Sequence, residues 1–168
     1  SDPTIYEAFT YYEREVLPHK NDDAINAKAM PGAHAALQAV QDAGLRCALF
    51  TNPSFPQGAI ECRMGWGELT DAPFELVTHM GNATRCKPDA TYYLEQLQVM
   101  GLEPHEVLMV GNDPKRDFPS PDCGIQTAYV GQGKPSRATW RGTMEDFARD
   151  FNAVVEAFYE HQVAEELS

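Results

Sequence analysis

The sequence predicts an α/β domain built on a parallel sheet with helices on both faces. Three observations carry that expectation. Short, wholly apolar runs end in turn residues, as in Leu49-Phe-Thr-Asn-Pro53 and Val107-Leu-Met-Val-Gly-Asn112, which is how buried strands read. Between such runs, apolar residues recur every three or four positions, the period of a helix with one buried face. The two kinds of segment alternate along the chain, and that alternation calls for crossover connections between parallel strands.

Taken in order, Ile5, Phe9, Tyr12 and Val16 mark a first helix from Pro3 to Leu17, which Pro18 is expected to stop. A polar stretch, Asn21 to Asn26, leads to Met30-Pro31-Gly32. Ala33, Leu37 and Val40 then mark a second helix, for which Gly44 supplies a left-handed stop. Leu45 to Phe50 reads as a strand, Pro56 to Met64 as a helix, Phe74 to Thr78 as a strand and Asp89 to Gly101 as a helix. Val107 to Val110 is a second fully apolar strand. A short helix is expected from Asp117 to Cys123, then a last strand from Gln126 to Val130 and a Gly/Pro-rich stretch from Gly131 to Pro135. Phe147, Phe151, Val154 and Phe158 lay one apolar stripe on a final amphipathic helix.

Composition narrows the function classes. A chain of 168 residues, 43% hydrophobic, suffices for one ordinary core, so a single soluble domain is expected. The formal charge of −12 and the scatter of the 13 basic residues argue against nucleic acid as a partner. The longest apolar runs are too short to cross a bilayer, and no charged-then-apolar leader precedes them, so no membrane partner and a cytoplasmic location are expected. Cys47, Cys62, Cys86 and Cys123 lack paired C-x-x-C spacing and read as reduced structural thiols. The sequence begins at Ser1 inside an apparent helix, and an upstream segment is expected.

In an open parallel sheet, ligands bind outside the carboxyl ends of the strands, where loops diverge and helix N-termini face the crevice. Thr51-Asn52 falls at that edge, with a hydroxyl and with N–H groups freed by the Asn52-Pro53 turn, so it can hold a phosphate or be only a turn. Asn112, Asp113 and Asp117 follow the next apolar strand. Two carboxylates and an amide oxygen are hard ligands suited to Mg²⁺; the same residues also suit helix capping beside a glycine turn. Lys87, in Lys87-Pro88 ahead of a helix, gains meaning from these neighbours.

Together these motifs resemble the haloacid dehalogenase superfamily, largely Mg²⁺-dependent phosphatases on a Rossmann-like core. The match runs through Leu49-Phe-Thr-Asn-Pro53, Cys86-Lys-Pro-Asp89 and Val110-Gly-Asn-Asp-Pro-Lys-Arg-Asp117, in the family's order, within Pro31 to Val130. The resemblance implies that Thr51 and Asn52 bind the phosphoryl group and that Lys87 neutralises it and orients the nucleophile. It assigns Asp113 or Asn112, or both, to Mg²⁺, with Asp117 as a ligand or its support. The family's first motif, Asp-x-Asp at the end of a central strand, has no counterpart, since Asp22-Asp23 lacks a preceding apolar strand. That strand should lie between those containing Ala48–Phe50 and Val107–Val110.

Residues 1–20 would then be the remnant of a helical cap and 21–168 an incomplete core. The implied activity is hydrolysis of a small phosphate ester through an aspartyl-phosphate in the intact protein, with these 168 residues alone inactive. The phosphorylated substrate and the chain's own upstream segment are the expected partners. The alternatives are a non-catalytic phosphate- or partner-binding relative and a metal-independent dehalogenase. A receiver domain also combines Asp, Thr and Lys, but places its acidic residues first.

Overall fold

Helix α1, Pro3–Tyr11, opens the chain; a π-helical turn at Tyr12–Val16 and a 3₁₀ turn at Leu17–Lys20 extend it, so Pro18 sits inside the helical path instead of ending it. The computed structural model describes residues 3–135 and 137–167; Ser1, the expected start within a helix, lies outside them. Helix α2 is Ala33–Asp42, followed by Gly44 with φ +68° as the predicted stop. Strand β1 is Ala48–Leu49, helix α3 Gln57–Trp66 and strand β2 Leu76–Val77. Helix α4 is Ala90–Met100, strand β3 Leu108–Gly111 and strand β4 Gln126–Val130.

The last part of the chain departs from expectation. Asp117 ends a turn that begins at Asp113, whose carbonyl accepts from the Asp117 N–H at 2.7 Å, and a helix does not start there. Only Pro121–Cys123 coil, as a 3₁₀ turn. Gln126–Val130 is not the last strand, because Trp140–Gly142 forms β5 beside it. The final helix is two, α5 at Met144–Arg149 and α6 at Phe151–Glu166, which meet at Asp150.

All strand pairs are parallel, as predicted, and helices cover both faces. One face of β3–β4–β5 carries Ala128 and Val130, packed with Ala36 of α2 and with Phe147, Phe151 and Val154 of the last two helices. Full burial of each of those aromatic and branched side chains contributes roughly 1.5–3 kcal/mol. The opposite face holds Val107 and Met109 against Tyr92, Tyr93 and Leu97 of α4, and Phe50, just past β1, joins the same cluster.

The strands form two sheets, β1–β2 and β3–β4–β5, with no ladder joining β1 to β3. Burial follows this division. Every residue of β4, flanked on both sides, is buried, whereas β1 and the first three residues of β3 are only half-buried.

Helix α5 starts with a reciprocal cap. Asp146 Oδ2 accepts from the Thr143 N–H at 2.9 Å and its hydroxyl at 2.8 Å, while the Asp146 N–H donates to Thr143 Oγ1. These bonds, with Arg149, hold the Asp146 carboxyl below its ordinary value of 3.8. A lowered folded-state pKa contributes stability that is full above the unfolded value and disappears as pH falls through the folded one. Asp146→Asn should therefore lower the urea midpoint near neutrality, and the gap from wild type should narrow only as the pH falls to and below the ordinary carboxyl value of 3.8.

Candidate active site

The carboxyl ends of β1 and β3 deliver the candidate residues, and α4 ties them together. Thr51 follows β1 and is locked to Thr78, which follows β2. The Thr51 N–H donates to Thr78 Oγ1 at 2.7 Å, and the Thr51 hydroxyl donates to the Thr78 carbonyl at the same distance. The hydroxyl expected to meet a phosphate is thus turned into the protein. Asn52 is exposed at the rim, and its carbonyl closes the predicted turn by accepting from the Ser54 N–H at 2.7 Å.

Asp117 is the hub of the other bank. Its Oδ1 accepts from Lys87 Nζ at 2.7 Å, and its Oδ2 accepts from the backbone N–H groups of Asn112 at 3.1 Å and Asp113 at 2.9 Å. The two side chains are only 10% and 13% exposed, so the pair is shielded from water and its partners are fixed. Gly111 makes room for this arrangement. A Cβ there would lie 2.5 Å from Asp117 Cβ and 2.8 Å from Oδ2, closer than atoms can approach. Asp113 faces outward, accepting from the Lys115 N–H at 3.1 Å and standing 3.6 Å from Arg116 Nε.

Two adjacent tyrosines, missed in the sequence reading, join the banks. Tyr92 donates to the Thr51 carbonyl at 2.6 Å and meets Thr78 Oγ1 at 2.8 Å. Tyr93 donates to the Asp117 carbonyl at 2.5 Å. Both are fully buried, and burial pushes their phenols well above the ordinary value, so they remain donors at any physiological pH. Their rings meet edge to face with centroids 5.1 Å apart, and Phe50 packs against both.

Among the described residues no group of three or more His, Cys, Asp and Glu side chains converges as a metal site. Both Asp117 oxygens are already engaged, which leaves Asp113 and Asn112 as the available hard donors. They fit Mg²⁺ in kind but supply part of a coordination shell. Beside Thr51 lies an open cavity of about 340 Å³, with Leu49, Ile60 and Met64 in its wall and Asn52, Phe55 and Arg63 at its mouth. The Arg63 guanidinium lies over the Phe55 ring, 5.1 Å from its centroid.

Residues 5–121 match the haloacid dehalogenase-like hydrolase family. The chain belongs to that family. Solved structures agree in fold: a HAD phosphatase from Thermococcus onnurineus is 21% identical with a TM-score of 0.60, over 72% of this chain and 57% of that one. A β-phosphoglucomutase from Clostridium difficile is 16% identical with a TM-score of 0.64, over 80% and 58%. A HAD family hydrolase from Deinococcus radiodurans, solved with bound phosphate and sodium, is 20% identical with a TM-score of 0.60, over 76% and 59%. The chain therefore spans less than two thirds of each of these proteins. No curated protein matches it in sequence. No helix of the described residues is long and apolar enough to cross a membrane.

The buried pair can be tested directly. Lys87→Met leaves the Asp117 carboxylate with backbone donors alone and should lower stability by about 2–4 kcal/mol in urea unfolding. Gly111→Ala should have a comparable effect by displacing Asp117.

Proposed function

We propose that the chain is the larger part of a Mg²⁺-dependent phosphomonoesterase of the HAD family, acting on a small phosphate ester. One observation carries the reading. Thr51-Asn52 and the Lys87–Asp117 pair stand at the carboxyl ends of β1 and β3, the two strands that flank the line dividing the sheet. A strand filling that line would place its own carboxyl end between them. Its backbone would also pair the facing N–H and C=O groups of β1 and β3, each of which costs on the order of 1–3 kcal/mol when buried unpaired. We assign this strand, with the attacking aspartate and a second aspartate as general acid and base, to a segment upstream of the 168 residues.

The roles of the chain's own residues follow from their chemistry. Lys87, held by Asp117, presents a fixed cation to the phosphoryl oxygens and to an incoming carboxylate, stabilising charge in the transition state. Thr51 would have to rotate its hydroxyl away from the Thr78 carbonyl to donate to phosphate. Asn52, at the rim, lies next to the cavity that would receive the alcohol portion of the ester. Asp113 and Asn112 would hold Mg²⁺ together with upstream carboxylates, and Asp117 would support them through its bonds to both of their N–H groups. When bound, the ion would neutralise phosphoryl charge.

Residues 1–20 fit the role of a cap remnant. Ile5, Tyr6, Phe9 and Tyr11 are 58–71% exposed, an apolar surface suited to further cap helices, while the Trp66 indole N–H anchors the segment through the Pro18 carbonyl at 3.4 Å. The free thiols Cys47, Cys62, Cys86 and Cys123 support a reducing, cytoplasmic setting.

The protein extended by its upstream segment should hydrolyse an aryl phosphate in the presence of Mg²⁺, and these 168 residues alone should not. In the extended protein, Lys87→Met should reduce kcat by roughly 10²–10³-fold. A folded, extended protein that binds phosphate yet turns over no member of a broad ester panel would instead mark a non-catalytic relative.

A further inference from the structure

We propose that Tyr92 and Tyr93 are positioning residues, one for each bank of the site: Tyr92 sets the phosphate-binding edge and Tyr93 sets the acidic loop. The inference rests on the proposed phosphatase reading for its kinetic consequences but not for its geometry. Adjacent residues on one helix send their hydroxyls in different directions, to the carbonyl of Thr51 and to the carbonyl of Asp117. Each acceptor is the backbone of a residue whose side chain or N–H is already assigned to the site. The pair lies fully buried and edge to face, so neither ring can shift without moving the other.

The arrangement is more than core packing. Packing alone needs the rings, and Phe50, Met109 and Ile125 supply apolar neighbours for them. The hydroxyls do a separate job: Tyr92 reaches the Thr51 carbonyl, two residues past β1, and Tyr93 reaches the Asp117 carbonyl, in the turn that follows β3, and β1 and β3 belong to different sheets. Helix α4 also begins just after Lys87, with Asp89 as its N-cap accepting from the Thr91 N–H at 2.8 Å. One rigid element thus fixes Lys87, the Thr51 edge and the Asp117 loop relative to each other.

Tyr→Phe keeps the ring and deletes only the hydroxyl. In the extended protein, Tyr92→Phe should raise the inhibition constant of inorganic phosphate about five- to tenfold and leave the Mg²⁺ activation constant within about twofold. Tyr93→Phe should do the reverse, raising the activation constant by a similar factor and sparing phosphate. Thermal unfolding and backbone amide spectra accompany the kinetics. The amide resonances of Thr51 and Asn52 should move in the first variant, and those of Asn112 and Asp113 in the second. Variants that lose stability while both constants and both sets of amides change together, or not at all, would overturn the assignment. If the wild-type extended protein shows no phosphatase activity, the functional reading fails, and the amide spectra still decide whether each tyrosine holds its own bank.

Discussion

Helix α4 crosses a discontinuity in the sheet, and the rest of the structure depends on that crossing. Between β1 and β3 there is no backbone ladder, the interaction that normally joins neighbouring strands. In its place stand side chains: Phe50 from the end of β1, Met109 from β3, and Tyr92 and Tyr93 from the helix above them. Apolar burial is non-directional, so it holds two sheets together without fixing their register. The two tyrosine hydroxyls add the missing direction, because one bonds the Thr51 carbonyl just past β1 and the other the Asp117 carbonyl in the turn after β3.

This constraint explains why the candidate site is self-satisfied. The Thr51 hydroxyl is bonded to the Thr78 carbonyl, Lys87 to Asp117, and Asp117 to the two N–H groups that follow Gly111. A cluster of buried polar groups costs too much to leave unpaired, so in this chain each finds a partner within reach. A phosphoryl group would replace part of this bonding, and Lys87 is suited to share a second anion because an ammonium carries three donors. Gly111 has a structural duty that precedes any chemistry, since only a residue without a side chain lets Asp117 lie back over the strand end.

Much of this was legible in the sequence. Wholly apolar runs ending in Thr51-Asn52 and Gly111-Asn112 located both site-bearing strands, because polar residues begin only where each strand ends. The alternation of segments gave the parallel α/β class. The short strand at Trp140–Gly142 escaped notice because three residues with an arginine at their centre show no period. The helix expected at Asp117 proved to be a turn: its carboxylate bonds backward to Asn112 and Asp113, where a capping residue would bond forward. Tyr92 and Tyr93 were hidden for a different reason. Their spacing says only that they face a core, while their acceptors lie 41 and 24 residues away, and no local pattern encodes such a pairing.

In the proposed phosphatase the line between β1 and β3 receives a strand from the upstream segment. Amide hydrogen exchange of the 168-residue chain, measured alone and with the upstream segment supplied as a separate peptide, tests it most directly. The inward-facing amides of residues 48–50 and 107–110 should exchange rapidly in the chain alone and become protected when the peptide binds. Protection at these amides in the chain alone, or exchange unaltered by the bound peptide, would contradict it.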